Sequence, residues 1–214
     1  DIILRNVVSI FEEEGFEVIG LSDLTTDFFL KKGVYGDYEA KNDEELIKIK
    51  EITNLLIIQI VQYKNSSLQT KDLSIDNLDF PIEALQIKSN KDTRILWSGP
   101  KNWLLISKKK ELLNIVNKLF KESDFAVTDL SHSRAVIELE GKSSKEILKK
   151  GCPFNFNELK KNNCVNSVFN GITITIDMTS DSPNNLRLFS LRSFGESLYH
   201  GITDACLEQG YKVF

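Results

Sequence analysis

The chain is poor in the residues that most often announce chemistry: among 214 residues there are two histidines and three cysteines. Cys152, Cys164 and Cys206 are odd in number and contain no Cys-x-x-Cys pair, which suggests neither a disulfide framework nor a zinc knuckle. Buried free thiols are expected. His132 and His200 lack a second ligand residue at the i+4 spacing of a helical metal site, so no metal is expected. No Gly-x-Gly-x-x-Gly fingerprint is present, and the chain by itself lacks the means to hold NAD or FAD. There is no Gly-x-Ser-x-Gly elbow, and the neighbouring Ser131 and His132 of "SHSR" would point apart in an extended chain.

Long apolar runs are also missing. "LLIIQIV", from Leu55 to Val61, falls far short of the roughly 20 residues needed to span a bilayer and reads as a buried strand. The 27 basic residues do not exceed the 31 acidic ones, and a net charge of -4 offers no field for nucleic acid or an anionic membrane. No basic leader precedes an apolar stretch, so a cytoplasmic home is expected. Met178 is the single methionine, and the chain as given is expected to be a fragment.

What is present is a core-forming sequence, 41% hydrophobic and long enough for one or two domains. Ile3, Val7, Ile10 and Phe11 recur at helical spacing before Gly15 and the strand "FEVIG", which makes an αβ unit. A glycine-punctuated loop and a charged helix around Leu46, Ile49 and Ile52 follow. From Leu55 the pattern is α+β. Surface loops, "YKNSSLQTKD" and "IDNLDFP", precede strands "TRILW" and "NWLLI", which the turn "SGPK" closes into a hairpin through Gly99 and Pro100.

Leu112, Leu113, Ile115, Val116, Leu119 and Phe120 predict one apolar helix face. Strands "RAVIELE", "CVNSVF", "ITITID" and "LRLFSL" come next, with a last helix from Phe194 to about Gln209. In "ITITID" the isoleucines share one face while Thr173, Thr175 and Asp177 share the other, which is wet or meets a partner.

"GKS" at Gly141–Ser143 sits where a nucleotide-binding loop would. Such a loop needs a glycine five positions earlier so that successive N–H groups face one phosphate, and that position is Val136. Glu138 and Glu140 would also repel the ligand. A structural reading fits better: Ser143 and Glu146 form a capping box, and Gly151 with Pro153 ends the helix. The same spacing recurs at Ser193 and Glu196. Asp129 is expected to accept N–H groups within "TDLSHS" rather than to act as a base. Trp97 and Trp103 flank the hairpin turn, either packing in the core or offering flat anchors to a partner.

In order, "RILWSGPKNWLLI", "VTDLSHSRAVIELEGKSSKEILKKGCPFNF" and "LRLFSLRSFGESLYHGITDA" resemble the gamma subunit family of heterotetrameric sarcosine oxidases. That family is related to the folate-binding domains of glycine cleavage T-proteins and TrmE-like tRNA-modifying proteins. The specific pieces are the Trp97, Gly99, Pro100, Trp103, Leu104 hairpin; Asp129 with Ser131; Lys150-Gly151-Cys152; and Arg192-Ser193-Phe194. Departures are Asn155, where the family often has an acid, and Tyr199 or His200, where an aromatic often sits. Residues 1–53, through "FEEEGFEVIGLSDL" and "KKGVYGDYEAKNDEELIKIKEI", resemble instead the N-terminal half of the UDP-2,3-diacylglucosamine pyrophosphatases of lipid A biosynthesis. The carboxylates of that family lie in a part absent here, and a chimeric reading frame joined near Thr53 is expected.

The resemblance implies a folate-binding-domain-like α+β module over residues 54–214, preceded by an incomplete αβ fragment at 1–53. It further implies a complex of alpha, beta, gamma and delta subunits that demethylates sarcosine to glycine with oxygen and tetrahydrofolate. FAD, FMN, NAD and tetrahydrofolate are expected on partner subunits and none on this chain, which would be a non-catalytic brace with alpha as its direct neighbour. No catalytic, cofactor or metal residue is expected; Trp97, Trp103, Arg192 and Phe194 are the expected partner interface. The alternatives are a stand-alone folate-dependent aminomethyltransferase and a fragment of the lipid A pyrophosphatase.

Overall fold

In the computed structural model, which describes residues 33–38, 41–42 and 44–214, the alternating stretches form two facing sheets. The larger runs β1 (Gly33–Tyr35), β14 (Tyr211–Val213), β2 (Ile47–Glu51), β10 (Arg134–Glu140), β13 (Asn184–Leu191), β12 (Ile172–Asp181) and β11 (Cys164–Phe169). Its one parallel pair is β14 with β2. The smaller, antiparallel throughout, runs β6 (Ile87–Ser89), β7 (Thr93–Gly99), β8 (Asn102–Ser107), β3 (Leu56–Gln62) and β9 (Phe125–Asp129).

Three apolar layers follow from the period-two alternation of the strands. Ile137, Leu139, Ile174, Ile176, Leu186 and Leu188 turn one face of the large sheet toward helices α2 (Ser144–Lys149) and α3 (Gly195–Cys206). Val136 and Phe189 turn the other way, onto Leu55, Ile57, Leu96, Leu104 and Ile106 of the small sheet and its lead-in. The small sheet's far face, Leu56, Ile58, Ile60, Ile95 and Leu105, packs beneath helix α1 (Leu112–Leu119). "LLIIQIV" is apolar at every position but Gln59 because both of its faces are covered.

Four expectations change. The helix placed around Leu46, Ile49 and Ile52 is strand β2: Ile47 and Ile49 are fully buried while Lys48 and Lys50 turn outward. The alternation of "IKIKE" outweighs the i, i+3 coincidence of its apolar residues. The stripe on α1 is narrower than predicted, since Leu112, Val116 and the following Phe120 are buried but Ile115 and Leu119 are exposed. A helix of eight residues covers the sheet with one line of side chains.

Neither capping box forms. Ser143 has φ -93° and ψ 6°, outside the extended geometry of a cap, and makes no side-chain cap hydrogen bond. Glu146 instead accepts from Lys149 Nζ at 2.6 Å. Before α3 the cap position belongs to Phe194, and Ser193 lies within the 3-10 turn Arg192–Phe194. Finally, "IDNLDFP" is not only loop. Asp76 and Asn77, with φ 51° and 60°, join β4 (Ser74–Ile75) to β5 (Leu78–Asp79), and a two-residue turn with both φ positive is the type I′ hairpin solution.

The αβ unit read over Ile3 to Gly20, and most of the second resemblance, lie outside the described residues. Its described part is woven into the large sheet. β2 pairs with β10 on one side and β14 on the other, so the division expected between residues 53 and 54 falls directly after a central strand. Asp37 N–H donates to Leu207 O at 2.8 Å and Ile47 N–H to Gly210 O at 3.1 Å, tying this segment to the C-terminus.

Two predictions follow from this construction. Ile49→Ala removes a fully buried side chain and should lower unfolding free energy by about 2–5 kcal/mol in urea titrations; deletion of residues 1–53 should abolish the cooperative transition altogether.

The Asp76 carboxylate accepts from Lys109 Nζ at 2.7 Å, from Thr93 Oγ1 and from Asn90 Nδ2, which holds its pKa down at about 2. A depressed carboxylate stabilises the fold above its unfolded value, and that contribution is lost as pH falls through the folded value. Asp76→Asn should therefore cost about 1 kcal/mol near pH 7 after solvent screening, with the gap to the parent closing between about pH 4 and pH 2.

Candidate functional site

The family-like motifs converge on two regions, the hairpin of the small sheet and the end of the large sheet where β10 and β13 meet the turn after β9. In the hairpin, Pro100 is followed by Lys101 at φ 56°, the left-handed geometry that a type II turn places at its third residue. Gln62 N–H donates to Lys101 O at 2.8 Å and fixes the turn onto β3. Gly99, at φ 158°, has the backbone geometry expected of it, and Lys101 adds a left-handed residue that the sequence did not mark.

Trp97 and Trp103 are cross-strand partners in register. Trp103 is not an interface residue. It is 1% exposed, its indole N–H donates to Pro81 O at 2.7 Å, and its ring meets Phe80 edge-on at 5.0 Å. A large ring with a satisfied polar tip is a core anchor. Trp97 is half-buried against the layer between the sheets, and its carbonyl accepts from the Cys164 thiol at 3.3 Å.

At the other region Asp129 does what its turn requires. Its Oδ1 accepts from the Ser131 N–H at 2.9 Å and from the Ser131 hydroxyl, whose oxygen accepts from Ile57 N–H at 3.0 Å. Leu130 N–H donates to Ile57 O at 2.7 Å. Asp-x-Ser is thus a clasp between the turn and the start of β3.

Arg192 N–H donates to Ser133 O at 2.9 Å, and Arg134 pairs in register with Leu191. These bonds hold Leu191 and Phe194, 45% and 48% exposed, beside the Arg134 and Arg192 side chains. Partial burial pulls the Arg134 guanidinium below its ordinary pKa. Sequence reasoning named Arg192 and Phe194 and missed Arg134 and Leu191. The available signal was an apolar residue at the outward end of a strand adjoining an Arg-x-Phe turn.

Lys150-Gly151-Cys152 is a packing motif. Lys150 Nζ donates to Ala205 O at 2.8 Å and to Glu208 at 2.9 Å, at the end of α3. A Cβ on Gly151 would lie 2.5 Å from Asn170 Oδ1, so only glycine permits the approach of the β11–β12 turn. Asn155 donates to Glu158 at 2.7 Å and stays local.

On the polar face of "ITITID" Thr173 is exposed, Thr175 bonds Asn166 of β11, and Asp177 meets the small sheet. Asp177, 0% exposed, accepts a bidentate pair of bonds from Arg94 of β7, Nε at 2.8 Å and Nη2 at 2.6 Å. Alongside, Arg187 Nε donates to Glu138 at 2.8 Å. Burial pushes the Asp177 pKa up, and the Arg94 charge opposes the rise. The two acids that argued against a phosphate loop are therefore committed elsewhere, Glu138 to Arg187 and Glu140 to Lys48 at 3.0 Å. Sequence inspection missed this layer, although a carboxylate inside a buried strand signals a buried cation opposite.

His132 and His200 are both exposed, and among the described residues no group of three His, Cys, Asp or Glu side chains could hold a metal ion. No helix among them is long and apolar enough to cross a membrane. An open groove of about 470 Å³ runs along His200, Thr203, Asp204 and Leu207 of α3 and its end to Tyr211. A smaller cavity of about 120 Å³ lies between the sheets.

With the fold in place, the profile of the sarcosine oxidase, gamma subunit family matches residues 71–208. The chain belongs to that family. It is 29% identical over 119 residues to the sarcosine oxidase subunit gamma of Corynebacterium sp. (strain U-96), covering 54% of this chain and 57% of that relative. The matched stretch thus spans little more than half the relative's length. A chain of the heterotetrameric sarcosine oxidase from Corynebacterium sp. U-96, solved with pyrrole 2-carboxylate, superposes with a TM-score of 0.68 at 21% identity, over 78% of this chain and 88% of that one. The glycine cleavage aminomethyltransferase T of Bartonella henselae gives 0.55 at 12% identity, over 87% and 56%. Both likenesses are of fold.

Breaking one half of the inter-sheet pair strands a buried charge, so Asp177→Ala should cost about 3–5 kcal/mol in urea unfolding, whereas Arg94→Met with Asp177→Leu should recover most of that loss. Equal losses in the single and double variants would mean that the pair itself, not the stranded charge, carries the stability.

Proposed function

We propose that this chain is the gamma subunit of a heterotetrameric sarcosine oxidase and acts as a non-catalytic brace in the oxidative demethylation of sarcosine to glycine. The observation that carries the reading is the family match over residues 71–208, joined to a fold that covers 88% of a chain of such a complex. FAD, FMN, NAD and tetrahydrofolate sit on the alpha and beta chains in this reading, within a cytoplasmic assembly.

The alpha subunit docks on the platform of Arg134, Leu191, Arg192 and Phe194. Arginine and aromatic side chains on a rigid turn are the composition that dominates binding energy at interfaces. Trp97 contributes at most its exposed edge and Trp103 nothing. Residues 33–51 belong to this module in the same reading, because β2 completes its large sheet.

The fold likeness to an aminomethyltransferase keeps a folate-dependent enzyme as the rival, and one experiment separates the two. Co-expressed with alpha, beta and delta chains, the parent should co-purify with the flavin-bearing subunits, and Leu191→Ser with Phe194→Ser should lower recovery at least about tenfold with an unchanged urea midpoint. Micromolar tetrahydrofolate binding by the full chain alone would overturn the brace.

A further inference from the structure

We propose that the cavity between the two sheets is a binding site for a small tetrahedral oxyanion of the phosphate class. The observation lies in unspent donors. Arg94 of the small sheet and Arg187 of the large sheet both line the cavity, and their side chains are 14% and 22% exposed. Arg94 uses Nε and Nη2 on Asp177, and Arg187 uses Nε on Glu138. Among the described residues no acceptor is bonded to Arg94 Nη1 or to either terminal nitrogen of Arg187, so several guanidinium N–H groups have no protein partner while water can still reach them.

The rest of the wall suits the same ligand. Lys91 and Lys108 stand at the rim, Asn90 and Thr179 add polar groups, and Leu55 and Ile106 close the apolar side. Asp92 is the one acid in the wall, against four cations; Asp177 and Glu138 lie behind, each already bound by its arginine. About 120 Å³ exceeds the roughly 10–15 Å³ that a single water needs and cannot admit a cofactor-sized molecule. A carboxylate is met by one planar fork. Here the cations come from two sheets and from the two connections at the open end of the β7–β8 pair, a three-dimensional arrangement that matches four oxygens around one centre. The site is separate from the docking platform, and its occupancy does not depend on the brace reading.

The test uses the full chain and inorganic phosphate, with acetate and chloride at matched ionic strength, followed by titration calorimetry and thermal unfolding. Saturable binding of phosphate and a Tm that rises to a plateau are expected, with acetate at least about tenfold weaker. Lys91→Gln with Lys108→Gln, both exposed rim residues, should weaken phosphate about five- to tenfold without moving the Tm measured in chloride. Arg187→Gln should remove the binding; because it also strands Glu138, the rim variant carries the decision if that protein unfolds. A Tm that climbs linearly with salt, alike in phosphate and chloride or alike in parent and rim variant, would overturn the site. Equal affinity for acetate would overturn its tetrahedral assignment.

Discussion

Everything in this fold is arranged around the contact of one sheet with the other, and that contact is held in register by the bidentate pairing of Arg94 with the fully buried Asp177. An ionised carboxylate at such depth is tolerated only when its charge is met and its lone pairs are filled. The requirement fixes β12 opposite β7, and the register of β12 with β13 then sets Arg187 next to Asp177 and Glu138 next to Arg187. Cys164, on β11, lies against this layer, and its thiol is pushed up to about 12, chiefly by burial and then by the Asp177 charge. Cys206, buried at the end of α3, is likewise raised to about 12 by burial. Both thiols are inert at neutral pH because they serve as small apolar fillers.

The motifs that carry the family likeness therefore read as solutions to packing problems. Asp129 and Ser131 clasp a turn to β3, Gly151 lets one loop approach another, and Trp103 seals the layer under α1 with its indole N–H satisfied. In the brace reading, membership in an enzyme family is carried by a chain that presents surfaces, because a subunit that positions its neighbours needs a rigid frame as strictly as a catalyst does.

How much of this was legible depended on whether a residue's role was decided locally. Strands β10, β12 and β13 were readable from their apolar alternation, β7 and β8 from the Gly-Pro turn that joins two apolar runs, and the last helix because its apolar line is long. β2 was not, since Leu46, Ile49 and Ile52 fit a helix as well as Ile47 and Ile49 fit a strand. The choice was made by β10 and β14, one distant in sequence and the other at the far end of the chain. The capping boxes failed for the same reason: Glu146 and Lys149 found each other, and the backbone at Ser143 was set by the entry from β10. In the candidate site, Arg192 and Phe194 were legible as a motif. Arg134 and Leu191 became visible only when register placed them side by side.

Among the exposed apolar side chains of the described residues, Ile115 with Leu119 and Leu191 with Phe194 form two candidate docking pairs, and physics favours the second. Ile115 and Leu119 on α1 sit on a helix of eight residues, and burying them would order side chains on an element with little support of its own. Leu191 and Phe194 instead emerge where β10, β13 and the clasped turn are cross-bonded through Ser133 and Arg192. Their positions are set before a partner arrives, so less conformational freedom is lost on binding. The adjacent Arg134 is already partly stripped of water, so a carboxylate on the partner would meet it at a smaller desolvation cost than a fully hydrated lysine would impose. The same clasp that makes the turn a stable end for the sheet thus makes it the better-prepared surface.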